Sequence, residues 1–302
     1  HQDPAALPVR LLDTLTRVQE LSGPNGHEAL VSAMGGPLLA ADCHALPPRD
    51  LALRVWLDDN DLFRKVYARR VVEALRRFQE FRGRQLLPVD VPDTDTCTRI
   101  ERWFGTAFER RGRSRHCRID PYRHDDLLYF EVRHGRPIRR DGALHEWEES
   151  IAETMVEYRP QQFDRVIYDR RSGILRVTAR DALTIRMYCQ GFGLFLFGQI
   201  GWFNPGGVLC FTPLLTHGRR AIEPIPGLTD VQLTEITLQL PYDHSRSTLV
   251  VRANDVLQVL GDYDAVRLDD GELVGAKLRL RYATGGRPRK VELRAPNVVR
   301  YD

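Results

Sequence analysis

Lysine is the scarcest of the reactive side chains in this sequence. Of its 44 basic residues only Lys65, Lys277 and Lys290 are lysine, which leaves 41 arginines. No Gly-Lys dipeptide occurs, so the lysine of a phosphate-binding P-loop has no place. Phe63, Gly275 and Pro288 stand two residues before the three lysines. The acid-spacer-lysine element of a restriction-type nuclease is therefore absent, and a nuclease would have to use a non-standard carboxylate site. Glu131, Glu157, Asp164 and Asp169, expected on neighbouring strands, are the acids such a site would draw on.

Cysteine is sparse and scattered. Cys43, Cys97, Cys117, Cys189 and Cys210 are odd in number and contain no Cys-x-x-Cys pair, which argues against a secreted disulfide framework. Cys97, His116, Cys117 and His124 lack zinc-ligand spacing, so no metal is expected. Gly191 and Gly193 are followed by Gly198 rather than a glycine at 196, and no Gly-x-Ser-x-Gly elbow occurs. No cofactor is expected.

Long apolar runs are missing too. The most apolar stretch, Gly191 to Phe203, has thirteen residues with four glycines, short of the roughly 20 needed to span a bilayer. It is expected to be a buried helix end running into a core turn. The start, HQDPAALPVRLL, lacks the basic region and apolar core of a signal peptide. The arginine skew is that of a GC-rich bacterial coding sequence, and the expected setting is a bacterial cytoplasm with no membrane partner.

What the chain does contain is patterned apolar sequence. A helical region is expected to residue 90. Leu11, Leu12, Leu15, Val18 and Leu21 form a stripe that stops at the breaker cluster Ser22 to Gly26. Phe63, Tyr67, Val71, Leu75, Phe78 and Phe81 recur three or four apart, which predicts one long helix ending at Gly83. Residues 91–302 are expected to form an α+β body with a possible sub-boundary near 204–230. A helix over Thr96 to Arg111 buries Ile100, Trp103, Phe104, Ala107 and Phe108; Asp181 caps another. Hairpins are expected at His134-Gly135, at Arg170 to Gly173 and at Thr284 to Arg287, followed by helices in two rounds. The fold class this implies is α+β, with a helical N-terminal region before a mixed, mostly antiparallel sheet packed with helices.

Charge is mild overall, +3 with a pI of about 8.6, so any footprint for a polyanion is local. Two segments stand out. Leu62 to Arg84 carries seven arginines and Lys65 against Glu73 and Glu80, with Arg69, Arg76 and Arg77 as candidate phosphate contacts. The acidic entrance Asp58, Asp59 and Asp61 opposes groove reading and suits the positive end of a helix dipole. Glu109 to Arg118 concentrates Arg110, Arg111, Arg113, Arg115 and Arg118, and Arg139 and Arg140 follow on the next hairpin. The expected function is non-catalytic, sequence-nonspecific binding of nucleic acid through these arginines, possible within a larger complex. The alternative is a scaffold or regulatory subunit with a protein partner or a second copy, since arginine and Trp56, Trp103, Trp147 and Trp202 suit interfaces equally.

Overall fold

The computed structural model describes residues 9–35, 46–73, 76–147, 150–204, 206, 208–222, 225–240, 247–262 and 271–302. The chain divides into two compact units, one of residues up to Leu75 with Tyr122–Tyr129, the other of Arg76–Pro121 with Phe130–Asp302. The division at Leu75 falls short of the boundary expected near residue 90.

The first unit holds four helices: α1 (Val9–Leu21), α2 (Pro24–Ala33), α3 (Pro48–Asp58) and α4 (Asn60–Glu73). The breaker cluster acts as its residue types dictate. Ser22 Oγ donates to the Val18 carbonyl at 2.6 Å, and Pro24 opens α2, where the missing N–H costs nothing. Gly26 lies so close to α1 that a Cβ would sit 2.4 Å from the Leu21 carbonyl oxygen. Val18, Leu21, Leu30, Leu51, Val55, Phe63, Tyr67 and Val71 make the core. The Asp59 carboxylate accepts from the Leu62 N–H at 2.9 Å and so caps α4.

The long helix predicted through Gly83 is not one element. Helix α4 stops at Glu73, and Arg77–Gly83 is strand β1. Leu75 lies outside the described residues. Phe78 and Phe81 are both buried, as expected, but on opposite faces of a strand that is interior to its sheet. Pairing with two neighbouring strands overrides the helical spacing. Arg84, just past the end expected for that helix, instead donates its Nε to the Gly201 carbonyl at 3.1 Å.

The mostly antiparallel sheet confirms the α+β class. Its strands are β1, β2 (Cys117–His124), β3 (Leu127–Gly135), β6 (Gln161–Asp169), β7 (Ile174–Thr178), β8 (Phe203–Asn204), β9 (Leu228–Gln239), β10 (Thr248–Arg252), β11 (Glu272–Tyr282), β12 (Arg289–Arg294) and β13 (Val298–Tyr301). They lie in the order β10-β9-β11-β12-β13-β1-β7-β6-β3-β2, with β8 against β1. The hairpins at Arg170 to Gly173 and at Thr284 to Arg287 are present; Asp169 accepts from the Arg171 and Ser172 N–H groups, and Gly285 and Gly286 take positive φ. His134-Gly135 is no hairpin turn. Strand β4 (Arg139–Trp147) pairs with β5 (Ser150–Tyr158), and the two form a separate ribbon.

Two helices of the second unit position the site. Helix α5 (Thr94–Glu109) is N-capped by Asp93, whose carboxylate accepts from the Thr96 N–H at 2.7 Å; α6 (Ala182–Phe197) is capped by Asp181 in the same way. Phe104 of α5 meets Tyr188 and Phe192 of α6 edge-on at 5.0 and 5.5 Å between centroids. Gly191 makes that approach possible, since a Cβ there would fall 2.4 Å from the Phe104 ring. The apolar run ends as expected: Gly198 terminates α6 at φ 73, and Trp202 and Phe203 return to the core. Two further short helices, α7 (Thr212–His217) and α8 (Val256–Asp262), cover the β9–β11 part of the sheet through Leu214 and Val256.

Candidate functional site

The arginines of the Glu109 to Arg118 loop do not act as a group. Arg111 and Arg113 turn inward to the start of α6. Arg113 Nη2 donates to Asp181 Oδ2 at 2.9 Å, and Arg111 Nη1 donates to Thr184 Oγ1 at 3.0 Å and lies 3.5 Å from Asp181 Oδ1. Thr184 donates through both its N–H and its hydroxyl to the same carboxylate. Burial works against the Asp181 charge, but the Thr184 hydrogen bonds and Arg113 outweigh it and hold the carboxyl below its usual range. These two arginines are half-buried struts. Arg115 lies 3.9 Å from Glu109, and Arg118 is exposed on β2. Arg140 is bonded to Glu157 across the ribbon at 2.7 Å, with Arg139 exposed beside it. Arg69 is exposed on α4 in the first unit; Arg76 and Arg77 are exposed in the second.

Arg110 alone of the loop joins a basic groove, and its partners lie on α5. Arg99, Arg102, Thr106 and Arg110 recur three or four residues apart, on the face opposite buried Ile100, Phe104 and Phe108. With Trp103, Ala107 and Phe195 of α6 they line a groove of about 470 Å³. Trp103 and Phe195 meet edge-on at 6.4 Å. Arg99 donates to the Thr96 hydroxyl at 3.1 Å and adds to the Thr96 hydrogen bonds that hold the Asp93 carboxyl below its usual range, and among the described residues no carboxylate lies within ion-pair distance of any of the three arginines. The sequence signal for this groove was present: the polar face of α5 repeats arginine as regularly as the other face repeats apolar residues.

A second, larger cavity of about 680 Å³ opens where the start of β1, the start of β6 and the β7–α6 connection meet. Arg77, Arg136 and Arg180 line it, with Gln79, Gln162 and Asp164 among its polar walls. Beneath the rim runs a buried hydrogen-bond chain. Arg136 Nε donates to Gln162 Oε1 at 3.0 Å, and Gln162 Nε2 donates to Asp164 Oδ1 at 2.8 Å. The other carboxylate oxygen accepts from the Tyr188 hydroxyl at 2.8 Å and lies 3.0 Å from His134 Nε2. Facing an aspartate oxygen, which accepts, His134 Nε2 is the donor of that contact. The imidazole is stacked on Phe108 at 4.1 Å, and the Arg113 guanidinium lies over the same Phe108 ring at 5.5 Å. Burial and the adjacent Asp164 push the Tyr188 hydroxyl well above its ordinary value, so it remains a donor.

The strand carboxylates do not converge. Asp164 is committed to the chain just described, Asp169 to its turn, Glu157 to Arg140 on the ribbon, and Glu131 is buried within β3. Among the described residues no three of His, Cys, Asp and Glu gather as metal ligands. Cys97 is buried with its Sγ 3.8 Å from the Pro92 carbonyl, and Cys43 lies outside the described residues. Among the described residues no helix is long and apolar enough to cross a membrane. No family model and no curated protein matches the chain.

Proposed function

We propose that the protein binds single-stranded nucleic acid through its phosphates, along the outer face of α5. The observation that carries this reading is the groove in which Arg99, Arg102 and Arg110 stand with no carboxylate within ion-pair distance among the described residues, beside the rings of Trp103 and Phe195. Guanidinium groups spaced along a helix track a phosphate backbone, and the faces of aromatic rings offer bases a stacking surface that does not depend on sequence. Arg111 and Arg113 take no part, being held by Asp181. The arginine-for-lysine skew and dispersed cysteines support a bacterial cytoplasmic setting.

The test is fluorescence anisotropy with a labelled single-stranded oligonucleotide at about 50 and about 200 mM salt. Affinity should fall by about fifteen- to twentyfold between the two, as expected for three phosphate contacts, and vanish in R99E/R102E/R110E. Equal binding by the triple variant would refute the assignment of the groove.

A protein partner is a second reading, favoured by the β4–β5 ribbon. Among the described residues its two strands pair with each other alone, and Met155 is 68% exposed with Val156 and Tyr158 beside it. A lone two-stranded ribbon is marginal in water, so cover by another chain would stabilise it.

A further inference from the structure

The second unit holds a cavity that the α5 groove does not use. We propose that the cavity between β1, β6 and α6 binds a phosphorylated small molecule of nucleotide size. Its phosphate would sit on Arg77, Arg136 and Arg180, and its less polar body against Phe163, Val177 and Ile185. Volume sets the class of ligand. About 680 Å³ lies within the range that encloses a cofactor- or drug-sized molecule and far exceeds an inorganic ion.

Charge sets the head group. Three arginines from three separate segments face one carboxylate, Asp164, which leaves a surplus of two positive charges. A phosphomonoester carries about −1.5 to −2 near neutral pH, whereas a carboxylate carries one. Asp164 is outnumbered there, and its oxygens are turned to Gln162, Tyr188 and His134. Arg77 and Arg180 have no hydrogen bond or ion pair from their side chains among the described residues, so both are available to a ligand. Arg136 is half committed: its Nε is held by Gln162, and Gln162 is buried and held by Asp164 in turn. That chain fixes the Arg136 side chain with its terminal nitrogens left over for phosphate.

The wall on the α6 side is equally fixed. Arg180 directly precedes Asp181, and Asp181 is clamped by Arg111, Arg113 and Thr184. The two loop arginines thus position the site without touching the ligand. Val177 and Ile185 are buried, while Phe163 is 43% exposed with the Arg133 guanidinium 5.8 Å from its ring centre, so the apolar side has a buried floor and one exposed ring at its edge.

The experiment is isothermal titration calorimetry of the full chain at constant ionic strength, with adenosine 5′-monophosphate, adenosine and inorganic phosphate as probes. The monophosphate should bind, inorganic phosphate more weakly, and adenosine not at all. R77Q/R180Q removes two exposed side chains and should weaken the monophosphate at least tenfold while its circular dichroism and melting temperature stay at wild type. The same variant should keep its oligonucleotide affinity, whereas R99E/R102E/R110E should lose the oligonucleotide and keep the monophosphate. A 5′-phosphorylated oligonucleotide that outcompetes the monophosphate in R99E/R102E/R110E would identify strand ends as the source of the phosphate; failure to compete would identify the free nucleotide. No heat with the monophosphate, or equal affinity in wild type and R77Q/R180Q, would overturn the proposal.

Discussion

At the scale of single residues, Asp164 is the most heavily committed polar group beneath the cavity. Three donors, Gln162, His134 and Tyr188, converge on one buried carboxylate. Removing a donor and removing the acceptor are therefore unequal changes. Tyr188→Phe deletes one hydrogen bond and should cost about 1 kcal/mol; Asp164→Ala orphans three buried groups at about 1–3 kcal/mol each and should cost at least ~3 kcal/mol. Urea unfolding midpoints measure both, and similar losses for the two variants would contradict this hierarchy. Thiol chemistry separates in the same way. Burial, reinforced by Glu101 and Asp93, pushes Cys97 up to about 11, and burial raises Cys117 and Cys189 further. Cys210 is exposed, and the side chain and backbone of Thr212 hold its thiol below the usual value. Since the thiolate is the nucleophile, peptide mapping after brief iodoacetamide treatment near neutral pH should find Cys210 alkylated well before Cys97, Cys117 or Cys189.

At the scale of elements, α6 depends on its cap. Asp181 bonds the Thr184 N–H and pairs with Arg111 and Arg113, so Asp181→Ala should lower stability by about 1–2 kcal/mol from the cap alone, and Asp181→Asn by less, because asparagine also caps. The folded carboxyl titrates below its unfolded value near 3.9. Its stabilisation is then present above that pH and lost as pH falls through the folded value. The gap between wild type and Asp181→Asn should accordingly be constant from neutral pH to about 5 and close below about 4 in thermal melts. A gap that persists in acid would mean that the ion pairs add nothing. Helices α5 and α6 were legible in the sequence because their signals are local: an apolar stripe for α5, and for α6 an aspartate three residues before a free N–H; the Asp93 cap of α5 lay hidden in a segment that reads as a linker. The α4–β1 break was not. Phe78 and Phe81 satisfy helical spacing, and what makes them strand is pairing with Val298–Arg300 and with Ile174–Val177, all remote in sequence. The same locality explains why Arg110 stands out as a candidate from its basic run, whereas nothing in the sequence joins Arg77 and Asp164, each a candidate on separate grounds, to one cavity. Arg77, Arg136, Asp164 and Arg180 come from four segments that share no motif.

At the scale of the whole molecule, a net charge of +3 on 302 residues is too weak to draw a polyanion to every face. Attraction must come from places where arginines lack carboxylate partners, and much of the arginine is neutralised internally: Arg113 by Asp181, Arg140 by Glu157, Arg176 by Glu80, Arg252 by Glu235. This makes the salt dependence of oligonucleotide binding a count of contacts. For a single strand the slope of log affinity against log salt is about −0.7 per neutralised phosphate, so the three arginines of the α5 groove predict a slope near −2. Each single change, Arg99→Gln, Arg102→Gln or Arg110→Gln, should reduce the slope by about 0.7. Arg69→Gln, in the first unit, and Arg118→Gln, on β2, should leave both slope and affinity within about twofold of wild type, because neither residue belongs to the groove. Were the attraction spread over the surface, all five variants would shift the slope by similar small amounts, and that pattern in the salt titrations would count against a single phosphate track.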